Sequence, residues 1–194
     1  MDRKIYLGGN SDDAYEFLTR GQLTVRTETV NQYRRALKQG YTAENTFQLT
    51  MVGFFTNTGA VLDFMVVAET SKRSLLNTNL ALDLPVTVLN YNGTEQHKAL
   101  ETDAAKGMTV GDYAGKKRIT DIKTTSTGTT FSDQSCQYEV RELARGDLDH
   151  DGVEDALVSV STRFKGGSGS GAELMVVTRT DGAKRLRLIG KPGK

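Results

Sequence analysis

The sequence predicts an α+β fold that is mostly antiparallel β-sheet, with N-terminal helices and a C-terminal three-strand meander. Three observations predict it: helical spacing of apolar residues before residue 45, period-two alternation after it, and Gly-rich turns near the end. A chain of 194 residues fits a single domain, 1–194. We expect it to contain a helical part at 1–45 and a β-rich body at 46–190.

Two helices are predicted in the N-terminal part. The first follows Ser11, carries apolar residues on one face and ends at Gly21. The second begins after Thr29, because Thr29 and Gln32 have the spacing of a capping box, and it ends by Gly40.

The segment that follows is predicted to form a β-hairpin. Residues 47–51 alternate between apolar and polar, residues 57–59 supply turn chemistry, and 61–67 return as an apolar strand.

Mixed elements are predicted in the middle of the chain. A strand is expected at 84–89 and a helix from Glu95 to Lys106. Residues 112–115 and 124–130 are expected to be loop or hairpin tip, because they are rich in Gly, Ser and Thr.

The C-terminal third carries the clearest strand patterns. A strand through Tyr138 and Val140 leads into an acidic loop at 147–155. A Gly-rich link at 166–171 and an Asp181-Gly182 turn then separate strands that form the meander. These strands are predicted at 156–164, 173–178 and 185–189.

Composition excludes several classes of function. The net charge of +1, from 25 basic and 24 acidic residues, gives no long-range reason to bind nucleic acid. No apolar run approaches the roughly 18 residues of a membrane span, so no transmembrane segment is predicted. No leader is visible after Met1. The single cysteine, Cys136, excludes an intramolecular disulfide and is read as a buried free thiol.

The acidic loop has the spacing of a calcium site. Carboxylates stand at its first, third, fifth and ninth positions, and Gly152 at the sixth allows a sharp turn. Calcium takes six to eight oxygen ligands, and a bound cation would relieve the repulsion among these acids. The predicted ligands are the side chains of Asp147, Asp149, Asp151 and Asp155 and the backbone carbonyl of Val153.

The loop is not predicted to be an EF-hand. Val158 stands where a bidentate glutamate would be required, and both flanks have the pattern of strands. We expect a strand–loop–strand site in which His150 faces solvent and Glu154 points outward. The alternatives are an acidic turn without metal and a catalytic calcium ion.

The motif Asp147-x-Asp-x-Asp-Gly-x-x-Asp155 resembles the calcium loops of integrin-type propeller repeats and of dockerins. Those proteins carry several copies and this chain carries one, so a propeller is not expected. With segments 103–110, 142–158 and 174–179, the chain is similar over residues 80–190 to small bacterial exported proteins, often lipoproteins, of poorly defined function. The resemblance implies calcium binding and a periplasmic or otherwise extracytoplasmic location, and it implies no activity.

Two functions remain open at this point. The first is a non-catalytic calcium-binding protein that binds another protein or an envelope component, for example an immunity or inhibitor protein that blocks a toxin. Its contact loops would be 166–171 and 90–93. The alternative is a calcium-stabilised hydrolase acting on cell-wall or other glycans, with carboxylates such as Asp63 and Glu69. A deep pocket with perturbed carboxylates would favour the hydrolase.

Overall fold

The structure is a computed structural model, and it describes residues 16–90, 93–167 and 169–190. Within these ranges the chain forms four α-helices and eight β-strands. All strand pairs are antiparallel, in one two-stranded and one six-stranded sheet. The predicted α+β class with mostly antiparallel sheet is therefore confirmed. The chain divides into two compact units, residues 1–62 and 63–194.

The first unit begins with a two-stranded hairpin, β1 (Glu16–Arg20) and β2 (Leu23–Arg26). The predicted helix between Ser11 and Gly21 is therefore wrong over residues 16–20, and residues 11–15 lie outside the described ranges. Gly21 adopts φ +63° and makes the turn between the strands. A helix this short is only marginally stable in water by itself, whereas the hairpin pairs the backbone N–H and C=O groups of β1 with those of β2.

Helix α1 (Val30–Lys38) confirms the predicted capping box. The Thr29 hydroxyl accepts a hydrogen bond from the Gln32 amide at 3.2 Å, and the Gln32 side chain accepts one from the Thr29 amide at 3.2 Å. The buried face of α1 joins the core of the first unit. That core consists of Leu18, Tyr33, Ala36 and Phe55.

Helix α2 (Thr46–Val67) replaces the predicted hairpin at 47–67, which is wrong. The turn chemistry at 57–59 lies inside the helix, where the Thr58 hydroxyl donates to the Phe54 carbonyl at 2.8 Å. Apolar side chains lie on every side of α2, so they produce no helical period that would distinguish it from strands.

Helix α2 is also long and apolar enough to cross a membrane, by length and composition alone. It has 22 residues, and exposed apolar side chains include Leu49, Met65 and Val66. One helix of this kind is weak evidence, because core helices of soluble proteins also meet these criteria. The predicted absence of a transmembrane segment therefore stays a prediction.

The helical part of the second unit contains α3 (Thr94–Ala105) and α4 (Val110–Gly115). Helix α3 confirms the helix predicted from Glu95. Helix α4 occupies residues predicted as loop, and a second capping box, between Thr109 and Asp112, starts it.

The strand predicted at 84–89 is wrong, because 3₁₀ helices occupy Ala81–Asp83 and Val86–Val88. The Leu84 carbonyl accepts from the Val110 amide at 2.9 Å, so this buried apolar run pairs with the start of α4. The run packs into the core as irregular chain, and a buried apolar run by itself does not specify a strand.

The six-stranded sheet is a continuous meander in chain order. Its strands are β3 (Thr120–Thr125), β4 (Gly128–Ser132), β5 (Cys136–Gly146), β6 (Asp155–Phe164), β7 (Ser170–Thr178) and β8 (Arg187–Gly190). The predicted C-terminal meander is confirmed as β6–β7–β8. The expected loop or hairpin tip at 124–130 is confined to residues 126–127, which join β3 to β4, because the rest of that run belongs to the two strands.

The core of the second unit lies against the central strands. Val140 and Val160 pair across β5 and β6, and the ring of Phe131 stacks on that of Tyr138 with centroids 5.1 Å apart. Cys136 is buried as predicted, and burial raises the pKa of its thiol. The long pair β5–β6 runs from this core to the acidic loop.

Candidate metal centre

The acidic loop joins the two longest strands of the sheet. Residue Gly146 at the end of β5 pairs with Asp155 at the start of β6, so the loop begins and ends on paired backbone. A rigid sheet therefore holds both ends of the loop, which suits a site that must keep its geometry.

Three of the predicted ligands come together. One carboxylate oxygen each from Asp147, Asp149 and Asp151 lie within 4.8 Å of one another. Asp147 is buried, whereas Asp149 and Asp151 are exposed. Calcium–oxygen distances are about 2.3–2.6 Å, so two oxygens on one calcium ion can be about 5 Å apart. The spacing of the three carboxylates is therefore compatible with a single calcium ion.

The buried carboxylates each keep one oxygen without a partner in the described part of the chain. Oδ2 of Asp147 accepts from the Gly152 amide at 2.8 Å, and Oδ2 of Asp155 accepts from the Leu148 amide at 2.8 Å. Oδ1 of each is buried and accepts no hydrogen bond. Leaving a buried charged oxygen unsatisfied is costly, and a cation is the partner that would offset that cost.

Burial raises the pKa of the Asp155 carboxyl group above its usual value. The nearby charge of Asp149 acts in the same direction, while interactions with the Thr178 side chain and with the Leu148 and Asp149 amides oppose it. Asp155 is fully buried, so its ionised form must be stabilised by hydrogen bonds or by a nearby positive charge. The hydrogen bonds within the protein offset only part of the cost of burying that charge.

The loop is tightly curled around its central residues. His150 and Gly152 both have left-handed backbones, at φ +62° and +84°. Oδ1 of Asp151 accepts from the Val153 amide at 2.7 Å, which fixes the end of the turn. Glycine is favoured at position 152 because the conformation carries no Cβ penalty there.

A distant segment, residues 69–73, lies along the loop and holds it by backbone hydrogen bonds. Glu69 and Asp147 exchange two such bonds, at 2.7 and 2.8 Å. The Gly152 carbonyl accepts from the Lys72 and Arg73 amides at 2.9 and 3.1 Å. We refer to residues 69–73 as the clamp segment.

Two of the neighbouring basic side chains, Arg145 and Arg73, pair with acids outside the three-aspartate group, while the Lys72 side chain packs beside Gly152. Arg145 lies 2.6 Å from Glu142 and 3.1 Å from Glu154, and Arg73 lies 2.9 Å from Asp181. Among the described residues, no lysine or arginine pairs with an aspartate of the acidic loop. Direct ion pairs in the described part of the chain therefore do not neutralise the negative charge of the loop.

The remaining predicted ligands lie outside the three-aspartate group. Asp155, at the start of β6, is not part of the group, and its unpartnered Oδ1 is the atom that could complete a site. Val153 forms a parallel bridge with Arg73. In this bridge the Arg73 amide donates to the Gly152 carbonyl, and the Arg73 carbonyl accepts from the Glu154 amide. That bridge leaves the Val153 carbonyl free to act as a ligand. The full ligand set thus stays a prediction.

Two neighbours of the ligands have specific positions. His150 is exposed as predicted, with Nδ1 3.5 Å from Glu69. Glu154 is half-buried and accepts from the Ser74 hydroxyl at 2.5 Å and from Arg145 at 3.1 Å. It is therefore one arm of an ion-pair network beside the loop, and a solvent-facing position for it is excluded.

Three cavities in the described part of the chain can be compared with a hydrolase cleft. They have volumes of about 650, 540 and 490 Å³, and each is lined by a single carboxylate, from Asp133, Glu142 and Glu173 respectively. Glycoside hydrolysis generally uses two carboxylates on opposite sides of the scissile bond. The candidate Glu69 is exposed and belongs to the clamp segment.

Comparisons with known proteins add no further constraint. No protein-family model matches the chain, and no curated protein or solved structure matches it significantly.

Proposed function

We propose that this protein is a non-catalytic calcium-binding protein in which the ion stabilises the β5–β6 loop, with which the clamp segment pairs. The unpartnered, buried oxygen of Asp147 carries the proposal. It belongs to a group of three carboxylates with which no described lysine or arginine forms an ion pair. A divalent cation with oxygen preference would supply the missing partner.

Calcium fits this donor set better than magnesium. Magnesium requires near-octahedral geometry with oxygens at about 2.0–2.1 Å, so opposite ligands lie only about 4.2 Å apart. The three carboxylates lie within 4.8 Å of one another on a loop held from both sides, a spacing that the larger ion can bridge. Calcium also accepts irregular geometry and six to eight oxygen ligands, which suits a loop that offers both carboxylate and backbone oxygens.

The proposed role of the ion is structural. The clamp segment and the loop are joined mainly by backbone hydrogen bonds, and the ion would remove the repulsion that works against them. A single non-EF loop has the character of extracellular modules, which bind calcium with Kd of about 0.1–1 mM. We therefore propose an extracytoplasmic location, with binding of another protein or an envelope component as the activity.

Calorimetric titration of the full chain with calcium, and separately with magnesium, tests this proposal. We expect one calcium per chain with Kd of about 0.1–1 mM, and weaker magnesium binding. Thermal unfolding in excess calcium and in chelator should then differ. If neither ion binds, or if unfolding is unchanged by chelator, the loop is an acidic turn without a metal function. Magnesium binding as tight as calcium binding would refute the proposed preference for calcium.

A further inference from the structure

A basic cavity in the second unit has the features of a small-ligand site. Its volume of about 650 Å³ is within the usual range of about 300–1,000 Å³ for such sites. Buried Leu100 contributes to an apolar wall, and Asn90, Gln96 and Gln134 present amide groups. The cavity thus combines apolar surface with groups that could orient a polar ligand.

The charge of the cavity lining is positive. Three basic side chains line it, Lys117, Arg118 and Lys165, against the one carboxylate of Asp133. That carboxylate is already used by the fold, because it accepts from the Ser135 amide at 2.7 Å and from other groups of the β4–β5 turn. A ligand would therefore meet three basic groups and an acid whose acceptors are occupied.

A hydrogen-bond network makes the wall around Asp133 rigid. The Tyr138 hydroxyl donates to Oδ2 of Asp133 at 2.8 Å and accepts from the Asn90 amide at 3.1 Å. Burial, followed by the hydrogen bond to Asp133, raises the pKa of Tyr138, so the phenol stays protonated. Lys165 donates to the Asp133 backbone carbonyl at 2.5 Å, which places its ammonium group at the same wall.

Arg118 is held in place by two contacts. Its guanidinium lies 5.0 Å from the centre of the Tyr113 ring and 3.5 Å from the Asp103 carboxylate. The Tyr113 hydroxyl donates to the same carboxylate at 3.0 Å, which fixes the ring under the guanidinium. A positioned guanidinium has donors left over for an anion, because it carries five.

Lys117 occupies a backbone position where glycine is normally favoured. Lys117 directly follows Lys116, the C-cap residue of α4, and its backbone is left-handed, with φ +57°. Its amide donates to Ala114, and the Arg118 amide donates to Tyr113, each at 2.9 Å, which is the Schellman pattern of helix ends.

Two other helices of this chain place glycine at the equivalent position. Gly40 follows the C-cap of α1 with φ +82°, and Gly107 follows that of α3 with φ +81°. A lysine there is strained, because its Cβ is disfavoured in the left-handed region. The side chain of Lys117 lines the cavity and forms no hydrogen bond or ion pair within the described ranges. Strain at a residue aimed at a cavity is a recognised mark of function.

We propose that this cavity binds a small anionic, hydroxyl-bearing ligand, with Lys117, Arg118 and Lys165 contacting its phosphate or carboxylate group. The amide groups would contact the neutral part of the ligand. This inference is independent of the calcium site, which lies on a different loop.

Ligand-observed NMR on the full chain in calcium provides the test, with glucose 6-phosphate and glucuronate as the phosphate and carboxylate probes. Glucose is their uncharged counterpart, and inorganic phosphate tests the anion alone. We expect at least one charged sugar to bind more tightly than glucose. Failure of both sugars and of inorganic phosphate to bind, or equal binding by glucose, would overturn the proposal.

The Lys117→Gly variant separates the ligand contact from folding. It removes the ammonium group and installs the residue that the backbone favours, so the thermal midpoint should be unchanged or higher. Affinity for the charged probe should fall about tenfold or more, the usual effect of losing a charge-assisted contact. The matched control is Lys116→Ala, which removes a neighbouring charge that does not line the cavity. Unchanged affinity in Lys117→Gly, or an equal loss in Lys116→Ala, would show that Lys117 has no specific role.

Discussion

Replacing Asp149 by asparagine should have opposite effects on stability with and without calcium. The variant should be less stable than wild type in calcium, and as stable or more stable in chelator. Asp149 is exposed, it lies in the three-aspartate group, and its side chain makes no hydrogen bond within the described ranges. The substitution keeps the shape of the side chain and removes one negative charge. In chelator it should leave the protein as stable as wild type or more so, because repulsion with Asp147 and Asp151 is reduced.

The size of the calcium effect follows from binding linkage. When free calcium is 10 to 100 times Kd, the wild-type protein gains about 1.4–2.7 kcal/mol in free energy of unfolding. The second unit covers residues 63–194, a size at which 1 kcal/mol shifts the midpoint by about 3–5 °C. Calcium should therefore raise the wild-type midpoint by about 4–13 °C. Asp149→Asn should lose most of that rise, because both a ligand and a charge are missing.

Differential scanning calorimetry of both proteins, in excess calcium and in chelator, measures all four midpoints. Asp121→Asn is the matched control, because Asp121 lies outside the loop and its left-handed backbone, φ +56°, also suits asparagine. The reasoning is refuted if Asp149→Asn lowers the midpoint equally with and without calcium. Such a result would make Asp149 a structural residue of an ion-free turn.

Three further predictions concern the second unit. The hydrogen bond from Lys184, followed by that from the Thr109 amide, lowers the pKa of Asp112 from 3.8 to about 2. The stability that the Asp112 carboxylate contributes should therefore be complete above about pH 4 and disappear as the pH falls through 2. In chemical denaturation, the free energies of unfolding of Asp112→Asn and wild type should differ at about pH 4 and above and become equal near pH 2. Leu84→Ala should cost about 2–5 kcal/mol in chemical denaturation, because Leu84 is fully buried in the core, and a cost below 1 kcal/mol would contradict that packing. Gly128→Ala should lower the thermal midpoint, since its Cβ would lie 2.5 Å from the Val140 carbonyl oxygen. The control Gly115→Ala, with open space around its Cβ, should not, and equal midpoints would contradict the close approach at residue 128.

The sequence predicted those elements whose local signals agree with their tertiary environment. Strands β6 and β7 alternate or run apolar between clear turns, and α1 carries a capping box at Thr29 and Gln32. Helix α4 carries the same kind of signal at Thr109 and Asp112, but its six residues lie among loop-forming glycines. Short helices of this kind are decided by packing, which the sequence pattern does not show.

Helix α2 shows how the absence of a period can mislead. Residues 47–51 alternate for a short stretch, and Asn57 to Gly59 read as a turn, yet all of them lie in one helix. A helix with apolar residues on every side has no polar face to mark its period. Two apolar runs around a polar turn then resemble a hairpin.

The candidate calcium site was predictable in part. Aspartates two residues apart on a curled loop converge by local geometry alone, and Asp147, Asp149 and Asp151 do so. The clamp segment could not be predicted, because Glu69 and Arg73 carry no motif and lie far from the loop in sequence. Only the three-dimensional structure shows that a second part of the chain depends on the loop.

The order of strands in the meander has a consequence for how this unit folds. Every strand from β3 to β8 pairs with its neighbour in sequence, so the sheet can grow by successive hairpins with short loop closures. The clamp segment is different, since its contact with Asp147 closes a loop of roughly 80 residues. We expect the sheet to form first and the clamp segment to dock late. An ion bound in the loop would then hold the final, slowest closure of the chain in place.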